Sequence, residues 1–210
     1  MGNSILNRKF QYTFSNATAV LLVLNVIVFA VSYYIYPQLV YILSLIPSSI
    51  IHSHSYWQFV TYMFEHGGVW HLFSNMLGLY IFGTVVERTI GTREFLLFYF
   101  LTGILTGIGS FIIYLMMGMN VVLMGASGAL YAVMFLFSVL YPHARVFVFG
   151  LIPISAPLLV VIYFGIELFG SVYASGSGIA HSTHLLGLVF AFLYTVIRLR
   201  INPFRAWSRT

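Results

Sequence analysis

Six apolar segments set the strongest limit on what this chain can fold into. Each approaches the roughly 20 residues that a helix needs to cross a lipid bilayer. Only 6% of the residues are charged and 60% are hydrophobic, a mixture that soluble domains do not use. The sequence therefore predicts an all-α membrane protein with six transmembrane helices, at about 17–36, 69–86, 95–117, 126–141, 157–173 and 183–197.

The basic residues predict how these helices are oriented. Cytoplasmic loops collect Lys and Arg, and all nine such residues fall on one side of a six-helix arrangement, with none from Phe10 to Glu87. Both termini are therefore expected to be cytoplasmic, with a short lead at 1–16, a helical domain at 17–200 and a basic tail at 201–210. The net charge of +5 fits this topology and anionic membrane lipids, so nucleic acid is not an expected partner.

The residue types that are missing narrow the possible chemistry. There is no Cys and no Asp, which excludes a cysteine nucleophile, an aspartyl dyad and a Ser-His-Asp triad. The four acidic residues are Glu65, Glu87, Glu94 and Glu167. Two loop histidines, His52 and His54, are too few for a strong metal site and are interpreted as solvated. No metal or cofactor is expected, and serine with histidine is the simplest hydrolytic pair that remains.

A small-residue turn places one serine, Ser127, at the start of the fourth apolar segment. Gly125 and Gly128 on either side have no Cβ, so another helix or a substrate backbone can come close to the serine. The unpaired backbone N–H groups of a first helical turn also favour an oxyanion. Small-residue runs in membrane helices are often packing surfaces, however. Taken alone, this turn leaves packing and chemistry both open.

Histidines and one asparagine supply the other polar groups of the apolar segments. His71 and Asn75 are four residues apart, on one face of the second helix. They can serve a site or only hydrogen-bond between helices. His66 lies off that face at the mouth of the helix. On the sixth helix, His184 has Gly187 one turn on, which permits close approach of a neighbour, whereas His181 has no such partner and is expected nearer the surface.

A count of depth along each helix brings four of these residues to one level. At 1.5 Å per residue, Ser127 lies about 22 Å above its cytoplasmic boundary, and His184 about 21 Å. Asn75 and His71 lie about 18 and 24 Å above theirs. In a hydrocarbon core about 30 Å thick, three helices therefore meet roughly 8 Å below the outer surface. Polar residues used only for packing need not share a depth, so this level is the predicted site.

The chemistry of these residues suggests a role for each. His184 takes the proton of Ser127 as general base and returns it to the leaving amine. His71, Asn75 and the Ser127 backbone N–H donate to the oxyanion. Tyr131, one turn from Ser127, stacks on His184 and fixes its ring in place of a triad carboxylate.

Four motifs together resemble the rhomboid intramembrane serine proteases. They are His66, His71 and Asn75 in a His-x4-His-x3-Asn pattern; Glu87-Arg88 with Gly91; Gly125-Ala126-Ser127-Gly128 with Tyr131; and His184-x2-Gly187. The resemblance implies a six-helix bundle whose serine-histidine dyad cleaves transmembrane substrates. It also implies that the fifth helix and the Ser/Gly-rich loop at 171–178 form a substrate gate and cap.

Three other segments carry expectations of their own. Gln58 stands where the family often has arginine, which affects how the first loop is anchored. The stretch from Arg145 to Phe149 is expected to be extended and cytoplasmic. Glu167 lies about 15 Å up a helix that starts near Pro157, and is expected to be protonated or hydrogen-bonded and to seat that helix.

Two other functions compete with a protease in the cell membrane whose site opens on the non-cytoplasmic side. One is a catalytically silent rhomboid-like protein that binds transmembrane helices, against which intact Ser127 and His184 argue. The other is a small transporter built around the polar level and Glu167. A transporter needs a continuous polar path, and the first helix offers almost no polar lining.

Overall fold

The computed structural model describes residues 10–148, 150–173 and 181–208. Three helical stretches are long and apolar enough to cross a membrane: Ala17–Ile35, Val69–Ile90 and Thr92–Met116. Three shorter apolar helices follow them: Ser127–Leu140, Ala156–Val172 and His181–Ile197. These six stretches match the predicted segments to within a few residues.

The helices are numbered along the chain. The first is α1 (Ala17–Ala30), which continues as a π-helix over Val31–Ile35. The second long stretch consists of α5 (Val69–Gly78), a π-helical turn at Leu79–Gly83 and α6 (Thr84–Ile90). The others are α7 (Thr92–Met116), α8 (Ser127–Leu140), α9 (Ala156–Tyr173), α10 (His181–Ile197) and the short α11 (Pro203–Trp207).

The predicted extended segment forms one strand of a small two-stranded hairpin, and the described residues are otherwise mostly helical. Strand β1 (Arg145–Val148) pairs antiparallel with β2 (Ile152–Ser155), and Arg145 lies opposite Ser155. β-Branched residues on both sides of Gly150, whose φ is +71°, favour a hairpin over a plain loop. Of the predicted loop at 171–178, the first three residues belong to α9 and the others lie outside the described residues.

The long first loop is folded and anchored. It contains α2 (Leu39–Leu43), α3 (Pro47–Ser53), α4 (Gln58–Thr61) and a 3-10 turn at Tyr62–Phe64. Gln58 is buried, accepts a hydrogen bond from the backbone N–H of Ile46 at 3.0 Å and donates to the carbonyl of Tyr41 at 3.1 Å. The amide of Gln58 therefore anchors this loop.

Glycines in α7 bring this loop against the bundle. A Cβ on Gly103 would lie 2.3 Å from the end of the Met63 side chain, and one on Gly107 would lie 2.8 Å from the Tyr62 ring. The Tyr62 hydroxyl donates to the carbonyl of Gly103 at 2.7 Å, and its own carbonyl accepts from the N–H of Gly125 at 2.9 Å. Tyr62 thus connects α7 to the turn that precedes α8.

Helix α8 lies at the centre of the bundle, and most of its side chains are buried. It packs between α7 and α10, and the closest approach is at Gly187, where a Cβ would lie 2.2 Å from the carbonyl oxygen of Gly128. With 14 residues, α8 is about 21 Å long. Since the hydrocarbon core is about 30 Å thick, a helix of this length with one end at a membrane surface has its other end inside the membrane.

Candidate active site

Ser127 is the first residue of α8, and the chain reaches it through a sharp turn. Gly125 has φ of +119°, a conformation that residues with a Cβ rarely adopt. The turn is fixed before the glycine by a backbone bridge between Leu123 and Leu45. The serine hydroxyl is therefore held at the N-terminal end of a helix, where backbone N–H groups lack helical partners.

His184 of α10 contacts Ser127 directly. Its Nε2 lies 2.8 Å from Oγ of Ser127, which is hydrogen-bond distance. The contact depends on the close approach of α8 and α10 at Gly187, because a side chain there would push the two backbones apart. The sequence predicted that these two residues share a depth, and the structure places them in contact.

The ring of Tyr131 stacks on the imidazole of His184. The ring centroids are 4.3 Å apart and the planes differ by 7°. The stack follows from helical spacing, since Tyr131 is one turn after Ser127 on the same face of α8. The predicted contact between Tyr131 and His184 is therefore present.

A carboxylate, which was not predicted from the sequence, also reaches His184. Oε1 of Glu167 lies 2.9 Å from Nδ1 of His184 and accepts a hydrogen bond from the Tyr131 hydroxyl. The contact with Nδ1 is close but lacks the alignment of a good hydrogen bond. Tyr131 is therefore not the only side chain beside His184, because the carboxylate of Glu167 lies there as well.

His181 holds the second oxygen of the same carboxylate. Its Nδ1 lies 2.6 Å from Oε2 of Glu167, and its ring fits over Gly170 of α9. The expectation that His181 lies nearer the surface than His184 is wrong, because their side chains are 11% and 13% exposed. The pair His181 and His184 is spaced by three residues, hence on one face of a helix. The signal in the sequence was this pair of histidines on α10 together with the single acidic residue of the neighbouring helix α9.

His71 and Asn75 line the space beside Gly125. A Cβ on Gly125 would lie 2.8 Å from Nε2 of His71 and 3.8 Å from Nδ2 of Asn75. Nδ1 of His71 accepts a hydrogen bond from the N–H of Gly67 at 3.3 Å, so the neutral ring carries its proton on Nε2. Asn75 is buried and donates one amide hydrogen to the carbonyl of His71 at 3.0 Å. Both side chains thus present N–H groups beside Gly125, which lies two residues before Ser127 in the chain.

His66 lies just before α5 and is buried against His71. The two ring centroids are 5.1 Å apart in an edge-to-face arrangement. Burial, and the proximity of His71, lower the pKa of His66 to about 4. His66 is therefore neutral near pH 7 and acts there as a packing group against His71.

The loop histidines lie apart from this site. His52 and His54 are exposed, and Nδ1 of His54 is 3.2 Å from the hydroxyl of Tyr56. Within the described residues no group of three His, Cys, Asp or Glu side chains is arranged to hold a metal ion. The chemistry available at the site is that of Ser127, four imidazoles, one amide and one carboxylate.

Comparison with known proteins finds one family over most of the chain. A family model described as the Rhomboid domain matches residues 53–201. RHOMBOID-like protein 12, mitochondrial, of Arabidopsis thaliana is 32% identical over 161 residues, which cover 70% of this chain and 47% of that protein. Putative rhomboid protease YdcA of Bacillus subtilis is 34% identical over 88 residues, 41% of this chain and 43% of that protein.

A second Bacillus subtilis protein, Rhomboid protease GluP, is 38% identical over 85 residues, which cover 40% of this chain and 17% of that protein. This chain therefore matches less than half of the length of each of the three relatives.

Proposed function

Because this chain belongs to the rhomboid family, we propose that it is an intramembrane serine endopeptidase, which cleaves peptide bonds in or near the transmembrane segments of membrane-protein substrates. The observation that carries the proposal is the 2.8 Å contact between Oγ of Ser127 and Nε2 of His184 at the start of α8. Two of the relatives are named rhomboid proteases, one of them as putative, which supports the same reaction.

The reaction begins with acyl transfer to the serine. Oγ of Ser127 attacks the carbonyl carbon of the substrate peptide, its proton passes to Nε2 of His184, and the carbonyl oxygen becomes an oxyanion. As the C–N bond breaks, His184 gives that proton to the leaving nitrogen, which departs as an amine. Water then attacks the ester on Ser127 while His184 takes a proton from the water. Collapse of this second intermediate releases the acid and restores the serine hydroxyl.

The oxyanion is stabilised by N–H donors that converge on the start of α8. Nε2–H of His71, the second amide hydrogen of Asn75 and the backbone N–H of Ser127 are the proposed donors. Loss of one such donor costs about 3 to 4 kcal/mol of transition-state stabilisation in typical hydrolases. The positive end of the α8 dipole acts in the same direction.

Five further residues support this arrangement. Gly125 makes room for His71 and takes the left-handed turn before the serine. Gly187 allows α8 and α10 to touch, and Gly128 makes room for Thr106 of α7. Tyr131 orients His184 by stacking, and His66 packs against His71.

The proposed topology follows the basic residues. Six transmembrane helices within 17–200, a cytoplasmic lead at 1–16 and a cytoplasmic basic tail at 201–210 place the site toward the non-cytoplasmic face of the cell membrane. Membrane lipids then surround the exposed apolar helix faces, and substrates reach Ser127 from within the bilayer.

Single cysteines test this topology directly, since the chain has no Cys. His52 and Arg205 are exposed on sides of the membrane that are proposed to be opposite. A membrane-impermeant maleimide added to intact cells is expected to label His52→Cys at once and Arg205→Cys only after lysis. Labelling in the reverse order contradicts the proposed orientation.

The proposed activity is tested by labelling the purified protein with a fluorophosphonate probe, alongside cleavage of a transmembrane reporter substrate. Ser127→Ala and His184→Ala are expected to abolish both signals, and Ser208→Ala, an exposed serine far from the site, to keep them. If the folded wild-type protein neither reacts nor cleaves while a control serine protease does, the alternative is favoured: a silent rhomboid-like protein that binds transmembrane helices.

A further inference from the structure

We propose that Glu167 is a positioning residue for His184, so that Ser127, His184 and Glu167 work as a triad whose carboxylate comes from α9. This inference rests on the proposed function. It concerns which group fixes the general base, and it adds a residue that neither the four motifs nor the serine-histidine pair includes.

The partners of Glu167 are the first argument. The residue is only 4% exposed, on a helix that is otherwise apolar. A carboxylate in such a place is costly unless donors surround it. Its contacts in the described part of the chain are His184, His181 and the hydroxyl of Tyr131. Of these three, His184 contacts the reacting serine and Tyr131 stacks on His184.

The tautomer of His184 is the second argument. Nε2 can take the proton of Ser127 only if the neutral ring carries its own proton on Nδ1. Oε1 of Glu167, 2.9 Å from Nδ1, favours that tautomer and stabilises the positive ring that forms when the proton moves. Imperfect alignment weakens the stabilisation of the protonated His184 ring by Glu167. The interaction stays favourable, because the attraction between charges depends mainly on distance.

The way in which the carboxylate is held is the third argument. His181 contacts Oε2 at 2.6 Å, while Tyr131 donates to Oε1, so both oxygens are fixed. The His181 ring occupies the space above Gly170, where a Cβ would lie 2.4 to 2.6 Å from three ring atoms. A glycine at this position is therefore required for the observed place of His181.

The position of Glu167 gives α9 a part in the reaction. Ser127 and His184 lie on α8 and α10, whereas the carboxylate lies on α9. The base is therefore fully oriented only while α9 is packed against α10. Displacement of α9 removes the carboxylate without moving the serine.

The test compares Glu167→Gln and Glu167→Asp with wild type in the rate of fluorophosphonate labelling. The maximal rate at saturating probe (kinact) and the half-saturating concentration (KI) are determined separately. Glu167→Gln is expected to lower kinact by about 10- to 100-fold, because an oriented base contributes at least this much. KI is expected to change by less than about twofold, since the carboxylate does not face the probe. Glu167→Asp keeps the charge and is expected to recover part of kinact.

A matched pair of glycine variants tests the same idea without changing Glu167. Gly170→Ala displaces His181 from the carboxylate and is expected to lower kinact, whereas Gly165→Ala, with no atom within 4 Å of the added Cβ, is expected to leave it unchanged. This pair decides the matter if Glu167→Gln does not fold.

The proposal is overturned if folded Glu167→Gln labels at the wild-type rate, even where its thermal stability is lower. It is equally overturned if Glu167→Gln is unfolded and Gly170→Ala labels like Gly165→Ala. A wild-type protein with no Ser127-dependent labelling overturns both the triad and the proposed function, whereas an active wild type with an equally active Glu167→Gln removes only the triad.

Discussion

The phenol of Tyr131 connects two neighbours of the candidate site: its ring lies 4.3 Å from and nearly parallel to that of His184, and its hydroxyl donates to Glu167. A single side chain of α8 thus contacts α9 and α10 at once. The stack restricts the imidazole plane, and the hydrogen bond restricts the carboxylate beside it. These two restraints can be separated by mutation.

Tyr131→Phe keeps the stacked ring and removes the hydroxyl, whereas Tyr131→Ala removes both. Aromatic pairs contribute about 0.5 to 1.5 kcal/mol beyond their buried area, so loss of the stack is expected to slow labelling by roughly tenfold relative to Tyr131→Phe. The measurement is the labelling rate of each variant, with thermal unfolding followed in parallel because the alanine leaves a cavity. Equal rates for the two variants would show that the stack does not orient His184.

Gly187→Ala is expected to separate α8 from α10. The new Cβ would lie 2.2 Å from the carbonyl oxygen of Gly128, and a backbone atom cannot move aside as a flexible side chain can. We expect the free energy of unfolding to fall by about 1 to 3 kcal/mol, the usual range for overpacking. Activity should fall as well, because the same contact brings His184 to Ser127.

Unfolding in mixed micelles and fluorophosphonate labelling check both expectations for Gly187→Ala. Gly165→Ala serves as the control, since it adds the same methyl group to a membrane helix in open space. A Gly187→Ala protein as stable and as reactive as this control would contradict the close-packing argument.

The sequence predicted the helices and the serine-histidine contact because both depend on simple counting. Apolar runs long enough for a membrane give the helix bounds, and the distance from each cytoplasmic boundary gives the depth of Ser127 and His184. Helical spacing then places Tyr131 beside them. None of these steps requires knowledge of side-chain conformation.

The same counting failed for Glu167 and His181. Glu167 starts about 15 Å above its boundary and His184 about 21 Å, so backbone depth alone separates them. A glutamate side chain spans that difference, and the ring of His181 reaches the same oxygens only because Gly170 leaves space for it. Such contacts depend on tertiary packing between α9 and α10. The sequence also predicted an extended segment from Arg145 but not its pairing with a second strand, because pairing depends on contacts between two segments.

Glu87 is expected to be a major contributor to stability at the other end of the bundle. Its carboxylate accepts hydrogen bonds from the backbone N–H groups of Ala17 and Thr18 at 2.7 and 2.8 Å, and from the hydroxyls of Thr18 and Thr92. Asn16, the residue before α1, makes no side-chain cap. Glu87 therefore caps α1 from a different helix.

Glu87→Ala leaves two buried N–H groups without their acceptor, and we expect a loss of about 3 kcal/mol of unfolding free energy. Thr18→Val removes only the hydroxyl donor and keeps the backbone contacts, so its loss should be about 1 kcal/mol. Unfolding in mixed micelles measures both. If Glu87→Ala is no less stable than Thr18→Val, the cap is not significant.

His66 makes stability depend on pH in a defined window. Its pKa falls from 6.5 to about 4 because the ring is buried and lies beside His71. As pH decreases through this range, the unfolded chain takes up a proton that the native His66 does not, so the free energy of unfolding falls. This group contributes at most about 1.4 kcal/mol per pH unit. His66→Gln cannot titrate and should show a shallower decline between pH 6.5 and 4. Above pH 7 the curves should run parallel, which serves as the internal control, and parallel curves across the whole range would mean that His66 titrates alike in the folded and unfolded protein.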